Sequence, residues 1–201
     1  MLKLHDSVIS GNGYKARLLL TQLGIPFTRI EYDVDRGATR TEEFLRRNPN
    51  GRVPVLELDD GRFLAESNAI LTYLAEGTAF LPEGRYARAL VLQWLFFEQY
   101  SHEPNIATLR HWISHDLLDD ERRAQVESKR RGGYAALGVM ERHLDGRRYF
   151  VGESYGIADI ALYAYTHVAA EGGFDLQGYP LVRRWLDRVA AAPRHIPITQ
   201  G

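Results

Sequence analysis

The chain contains no cysteine in its 201 residues. This absence excludes disulfides, thiolate metal sites and any nucleophilic thiol of the protein's own. If thiol chemistry takes place here, the sulfur arrives with a substrate. Charge of one sign is also lacking: 25 Lys and Arg stand against 26 Asp and Glu, a formal net charge of −1. Such a chain has no field to concentrate nucleic acid or an anionic membrane surface, and neither is expected as a partner. No apolar run approaches the roughly 18 residues that span a bilayer. The opening Met1-Leu2-Lys3-Leu4-His5-Asp6 has no signal-peptide apolar core, which predicts a cytoplasmic protein. What is present is 45% hydrophobic and 25% charged residues, enough to bury the core of one domain or of two small ones.

The periodicity changes along the chain. Leu2 to His5 reads as a strand. Ala16, Leu19, Leu20 and Leu23 then follow helical spacing, and Gly24 and Pro26 end that helix. Phe27 to Tyr32 is a second strand, which makes the opening a βαβ unit. Val53–Leu58 and Arg62–Ala65 flank Asp59-Asp60-Gly61, a hairpin signal, and a helix opens at Glu66-Ser67. From Arg85 onward only helical periodicity remains, with a bend expected near Pro104. Asp119 to Leu144 is amphipathic, with i, i+4 pairs Asp119–Arg123 and Glu127–Arg131 on its surface. Ile157 to Ala170 is apolar nearly all round, as a buried central helix should be. The prediction is an α/β domain over residues 1–78 followed by an all-α domain over 84–201.

Two short features carry chemistry. Pro54 follows Val53 at the start of a strand, where a residue without an N–H cannot join the ladder. X–Pro bonds are where cis peptides occur, although trans is the commoner form. A cis bond here would aim the Val53 backbone into open space, where an extended peptide could pair with it. Twelve residues after Pro54, Glu66-Ser67 opens a helix. That is either a plain N-cap or a place where Ser67 takes a carboxylate and Glu66 an ammonium, the two charges of an α-amino acid.

In order and spacing, "NPNGRVPVL" followed by "ESNAI" resembles the glutathione-binding half of the glutathione S-transferases. The likeness extends to "LKLHDSVISGNGYKARLLLTQLGIPF", "FVGESYGIADIALY" and "YPLVRRWLDRVAAAP", nearly the whole chain. It implies a thioredoxin-like N-terminal domain with a cis Pro54, followed by a C-terminal helical bundle domain. It further implies that the Val53 backbone pairs with the cysteinyl part of glutathione while Glu66 and Ser67 hold the γ-glutamyl end. The glycine carboxylate needs a cation, for which Arg52 comes first and Arg40 and Arg36 follow. Among serine-type members the thiolate is held by a serine at the position of Ser10; Asn12 and then Ser7 are the next candidates. No tyrosine stands where tyrosine-type members carry theirs. The lack of cysteine excludes as models the cysteine-type members that exchange disulfides and the isomerases with a Ser-Ser-Cys signature.

The magnitudes agree with a hydroxyl. A thiol of pKa near 8.5 needs about 2.7 kcal/mol to fall by two units. One hydrogen bond to the anion supplies about 1.5–3 kcal/mol, and a helix N-terminus about 0.3–2 more.

By the same resemblance, Tyr100, Ile106, Leu109, Arg110 and Trp112 fall where a hydrophobic electrophile is held, though Leu109 and Trp112 could equally be core. His111 and His115 stand at metal-binding spacing, yet without the glutamate of H-E-x-x-H they read as solvated surface, and no metal is expected. Asp159 sits three residues after Gly156, where the family has a Ser/Thr-x-x-Asp capping box; the reach of Asp159 back to the Gly156 N–H survives and the reciprocal hydroxyl is missing. The expected function is a homodimeric glutathione transferase acting on a small hydrophobic electrophile, with glutathione as co-substrate and no other cofactor. The alternatives are a binding or regulatory protein on the same fold and a glutathione-dependent peroxidase.

Overall fold

The structure is a computed structural model and describes residues 1–200. Met1–Thr78, joined by the tail from Pro193 onward, form one compact unit, and Ala79–Ala192 form the other. The return of the tail corrects the expected boundary, which left everything after residue 84 in the helical part.

In the first unit, β1 (Leu2–Asp6) leads through α1 (Gly11–Leu23) to a parallel β2 (Phe27–Glu31). Gly24 ends α1 at φ 68°, a left-handed turn whose N–H reaches the Leu20 and Thr21 carbonyls. A short α2 (Glu42–Arg47) starts on the Thr41 hydroxyl, which accepts the Phe44 N–H at 3.2 Å. Two antiparallel strands follow, β3 (Val55–Glu57) and β4 (Phe63–Ala65), and then α3 (Ser67–Ala75). The sheet order among the described residues is β2-β1-β3-β4, with β3 antiparallel to β1. This is the mixed sheet of a thioredoxin-like domain. The expected strand from Val53 begins only at Val55, because Pro54 has no N–H to give the ladder.

Helix α1 is buried far beyond its predicted apolar stripe. Tyr14, Lys15, Arg17 and Leu18 have no exposed surface, while Leu23 at its end is half-buried. The tail reaches Tyr14 and Arg17, while Lys15 faces the start of α3 at Ser67. The Tyr14 hydroxyl donates to the Ile196 carbonyl at 2.7 Å, and Arg17 Nη1 donates to the Ile198 and Gln200 carbonyls at 2.9 and 2.5 Å. Tyr14 thus holds the C-terminal segment.

The second unit contains α4 (Arg85–Phe97), α5 (Glu103–Ser114), α6 (Asp120–His143), α7 (Ile157–Thr166) and α8 (Pro180–Ala190). The expected bend near Pro104 is a turn of π-helix over Glu98–His102, placed where the backbone must accommodate a residue with no N–H. Asp119 spends its carboxylate on the N-terminus of α6, accepting the Arg122 N–H at 2.8 Å. Its ion pair is accordingly with Arg122 at i+3, and Arg123 turns to Asp120; the predicted i, i+4 pairing is not the one formed. Glu141 caps α8 from outside: its carboxylate oxygens accept the Leu181 and Val182 N–H groups at 2.9 Å. Among the described residues, no helix is long and apolar enough to cross a membrane.

Every residue of α7 is buried, as its composition predicted. Asp159 organises its start: Oδ2 accepts the Gly156 N–H at 3.1 Å, and Oδ1 accepts the Phe150 N–H at 3.1 Å and Trp185 Nε1–H at 2.9 Å. Burial pushes the Asp159 carboxyl up to about 7, against three donors that favour the anion. The glycine at the cap has a steric cause. A Cβ on Gly156 would stand 2.8 Å from the Phe80 carbonyl oxygen, which itself accepts the Ile157 N–H at 3.0 Å. Gly156→Ser, which restores the family's capping box, should therefore destabilise the protein by about 1–3 kcal/mol. Thermal unfolding checks this: a melting temperature at or above that of the parent contradicts the account.

Candidate functional site

The predicted site draws on three pieces of the first unit: the turn into α1, the loop Asn48–Pro54, and the start of α3. Ser10 is the N-cap of α1, in extended conformation (φ −74°, ψ 119°), with its Oγ accepting the Gly13 N–H at 3.1 Å. That bond uses a lone pair and leaves the hydroxyl proton available for an anion. Ser7 differs: it is buried, and its hydroxyl donates to Glu31 Oε1 at 3.4 Å, while the Val8 N–H is bound by the same carboxylate. Asn12, the second candidate, lies in the first turn of α1, so the cap is not its role.

The position of this turn is set from beneath. A Cβ on Gly13 would fall 1.6 Å from Asp6 Oδ1, so only glycine lets α1 approach the end of β1. Asp6 and Arg17, both without exposed surface, face each other at 2.8 Å. Arg17 Nη2 also donates to the Val8 carbonyl at 2.9 Å, tying the ion pair to the loop that carries Ser10. Burial pushes the Asp6 carboxyl up to about 6, and the Arg17 charge pulls the other way.

In the second loop, Asn48 works from both ends of its amide. Oδ1 accepts the Asn50 N–H at 3.0 Å and Nδ2 donates to the Arg52 carbonyl at 2.8 Å, with Gly51 at φ 64° supplying the turn. The Val53-Pro54 peptide is cis. Val53 stands outside the strand register, which begins at Val55 against both β1 and β4. Of the three arginines proposed for the glycine carboxylate, Arg40 donates to the Asn50 carbonyl at 3.0 Å and Arg36 pairs with Asp33 at 3.4 Å. Arg52 is exposed, and its guanidinium has no partner among the described residues.

At the third piece, Glu66 is exposed and adopts φ 67°, ψ 113°, a region that non-glycine residues rarely enter. Such a residue persists only where its surroundings hold it. Ser67 is the first residue of α3 and is buried. Its hydroxyl is turned inward and donates to Asn12 Oδ1 at 3.1 Å, so the expected capping bond from this side chain is not made. Lys15, which the sequence reading passed over, has no exposed surface and places Nζ 3.3 Å from Ser67 Oγ and 3.5 Å from Asn68 Oδ1. The signal was present: a lysine inside an apolar helix, one turn on from Asn12.

The residues proposed for the electrophile site are distributed differently within the second unit. Ile106 and Leu109 have no exposed surface and belong to the core, which corrects the assignment of Ile106 as a pocket wall and matches the core reading left open for Leu109. Tyr100 is 87% exposed. Arg110 pairs with Glu171 at 2.6 Å, and Trp112 lies beneath the cations of Arg122 and Lys129. The His111 and His115 rings lie 4.6 Å apart, and His115 Nδ1 is within 3.0 Å of the His111 carbonyl.

The first unit is thus thioredoxin-like, with a cis proline after Val53, an acid–serine pair at the start of α3 and a capping serine at α1, and a helical unit follows it. Comparison with known proteins agrees. Residues 1–76 match the glutathione S-transferase N-terminal domain and residues 90–193 the C-terminal domain of the same proteins. The chain belongs to the glutathione S-transferase family. It is 32% identical over 192 residues to the disulfide-bond oxidoreductase YfcG of Escherichia coli, spanning 90% of this chain and 87% of that one. A glutathione S-transferase from Pseudomonas fluorescens superposes with a TM-score of 0.96 at 52% identity, covering 99% of both chains. A glutathione transferase from Burkholderia graminis, solved with two glutathione molecules per subunit, is 28% identical with a TM-score of 0.83, over 96% of this chain and 85% of that one.

Proposed function

We propose that the protein is a glutathione transferase in which the Ser10 hydroxyl stabilises the glutathione thiolate for attack on a small hydrophobic electrophile. The observation that carries this reading is the state of Ser10: its oxygen is engaged by the helix, its proton is not, and the N-terminal field of α1 favours an anion there. The Val53 backbone, outside the strand register, would pair with the cysteinyl residue. Glu66 and Ser67 would hold the γ-glutamyl end, with Arg40 shaping the loop and Arg52 meeting the glycine carboxylate. The electrophile site would draw on Tyr100, Arg110 and Trp112. A homodimer is the expected assembly. Leu92, Phe96 and Tyr100, at i, i+4 and i+8, leave an exposed apolar stripe that a second copy could cover.

The test is glutathione uptake by calorimetry together with conjugation of 1-chloro-2,4-dinitrobenzene. Arg52→Ala should raise the KM for glutathione about tenfold and leave kcat unchanged, the signature of a contact equal in ground and transition states. A fall in kcat at constant KM contradicts the role given to Arg52.

A second reading is supported by the name of the Escherichia coli relative. Without a cysteine the protein cannot join a disulfide exchange, but two glutathione molecules can do so alone. Their two thiols would be oxidised to one glutathione disulfide while a substrate disulfide is reduced to two thiols, or a hydroperoxide to an alcohol and water. Turnover of 2-hydroxyethyl disulfide or cumene hydroperoxide, followed by coupled glutathione reductase, distinguishes this reading from conjugation. Absence of all three activities with glutathione still bound would favour the binding protein.

A further inference from the structure

Lys15 belongs to α1 but serves the first turn of α3. Its side chain has no exposed surface, and its ammonium lies 3.3 Å from Ser67 Oγ and 3.5 Å from Asn68 Oδ1. A lysine gives up several kcal/mol of hydration when it is buried. Here the charge sits beneath a helix N-terminus, which already carries about half a positive charge. Two sources of positive potential therefore converge on the start of α3, and an anion bound there would meet both.

The hydrogen bonds have a direction. Lys15 Nζ donates to Ser67 Oγ, and Ser67 in turn donates its proton to Asn12 Oδ1 at 3.1 Å. The ammonium occupies a lone pair of the Ser67 oxygen, so the hydroxyl acts as a donor and each bond polarises the next. An incoming carboxylate competes with the Asn12 amide oxygen for that proton, and a carboxylate is the stronger acceptor. Asn12 is two residues from Ser10 on the same turn, so the chain Lys15–Ser67–Asn12 reaches from the amino-acid end of the site to the sulfur end.

We propose that Lys15 is a positioning residue for the α-carboxylate of the γ-glutamyl group: buried behind Ser67, it supplies the complementary charge and holds the Ser67 hydroxyl as a donor. This rests on the reading of the site as one that binds glutathione. It goes beyond it by giving the carboxylate a charged partner that touches no ligand atom. A structural lysine that only ties α1 to α3 would support every ligand equally; one that acts through charge discriminates by the ligand's carboxylate.

The experiment compares glutathione with its decarboxylated analogue, 4-aminobutanoyl-Cys-Gly, by calorimetry on the parent, Lys15→Met and Lys15→Gln. The parent should bind glutathione more tightly than the analogue. Both variants should lose about 10- to 100-fold in affinity for glutathione while affinity for the analogue stays nearly unchanged, so that the ratio collapses. Equal loss for both ligands, or no loss for either, overturns the proposal. A parent that binds neither ligand would instead overturn the glutathione reading itself. If neither variant folds, the parent still decides: the 15N resonance of the Lys15 ammonium should move on addition of glutathione and not of the analogue, and a resonance indifferent to glutathione overturns the proposal.

Discussion

Ser10→Ala should lower the rate of glutathione conjugation about 10²- to 10³-fold while glutathione affinity remains close to that of the parent. The substitution removes one donor to a developing or resident anion and nothing that grips the tripeptide's ends. The thiol then keeps a pKa near its free value, because the field at the start of α1 alone supplies only part of the 2.7 kcal/mol needed for a two-unit shift (about 0.3–2 kcal/mol). The deficit should accordingly shrink as the pH is raised towards 9 and the bound thiol ionises unaided. Loss of the cap on α1 adds a stability cost of about 1 kcal/mol, which a melting curve measures separately. An unchanged conjugation rate would move the role to Asn12 or to a backbone N–H of the same turn.

Arg17→Met should destabilise the protein by about 3–5 kcal/mol, since it leaves the Asp6 carboxylate buried without its ion pair. The same change removes the bonds from Arg17 to the Ile198, Gln200 and Val8 carbonyls, which tether the tail and the Ser10 loop. The loss should depend on pH with a definite sign. Burial already raises the Asp6 carboxyl from 3.8 to about 6, and without the arginine it rises further. In the unfolded chain the group titrates near 3.8, so the folded variant takes up a proton that the unfolded chain releases, and its stability falls as pH rises through that window. Chemical denaturation at pH 5 should therefore show a smaller difference from the parent than at pH 8. A difference that grows towards pH 5 would show that Asp6 is not the group left exposed to the loss.

Much of this was legible in the sequence, for identifiable reasons. The βαβ opening, the hairpin at Asp59-Asp60-Gly61 and the buried α7 follow from local spacing and turn chemistry, although the hairpin strands are shorter than expected and α7 ends at Thr166, before the expected Ala170. Ser10 and Glu66 could be found because motif order fixes them beside helix starts. What escaped depends on partners distant in sequence. Tyr14 and Arg17 are buried by a tail more than 180 residues on, which no periodicity within α1 can announce. Ser67 turns its hydroxyl inward because Lys15 and Asn12 lie across from it on another helix. Ile106 looked like a pocket wall because the resemblance gave its place along the chain, while packing against neighbouring helices decides which face it occupies. Gly156 looked like a weakened cap and is instead room for the Phe80 carbonyl.

The central claim is that a chain with no sulfur nucleophile of its own binds glutathione and works with its thiol. Titration of glutathione into the folded protein in a calorimeter tests it most directly. The account predicts saturable binding of one tripeptide per active site, with a dissociation constant in the range of about 1 μM to 1 mM. Protein that is folded by circular dichroism yet takes up no glutathione would contradict it.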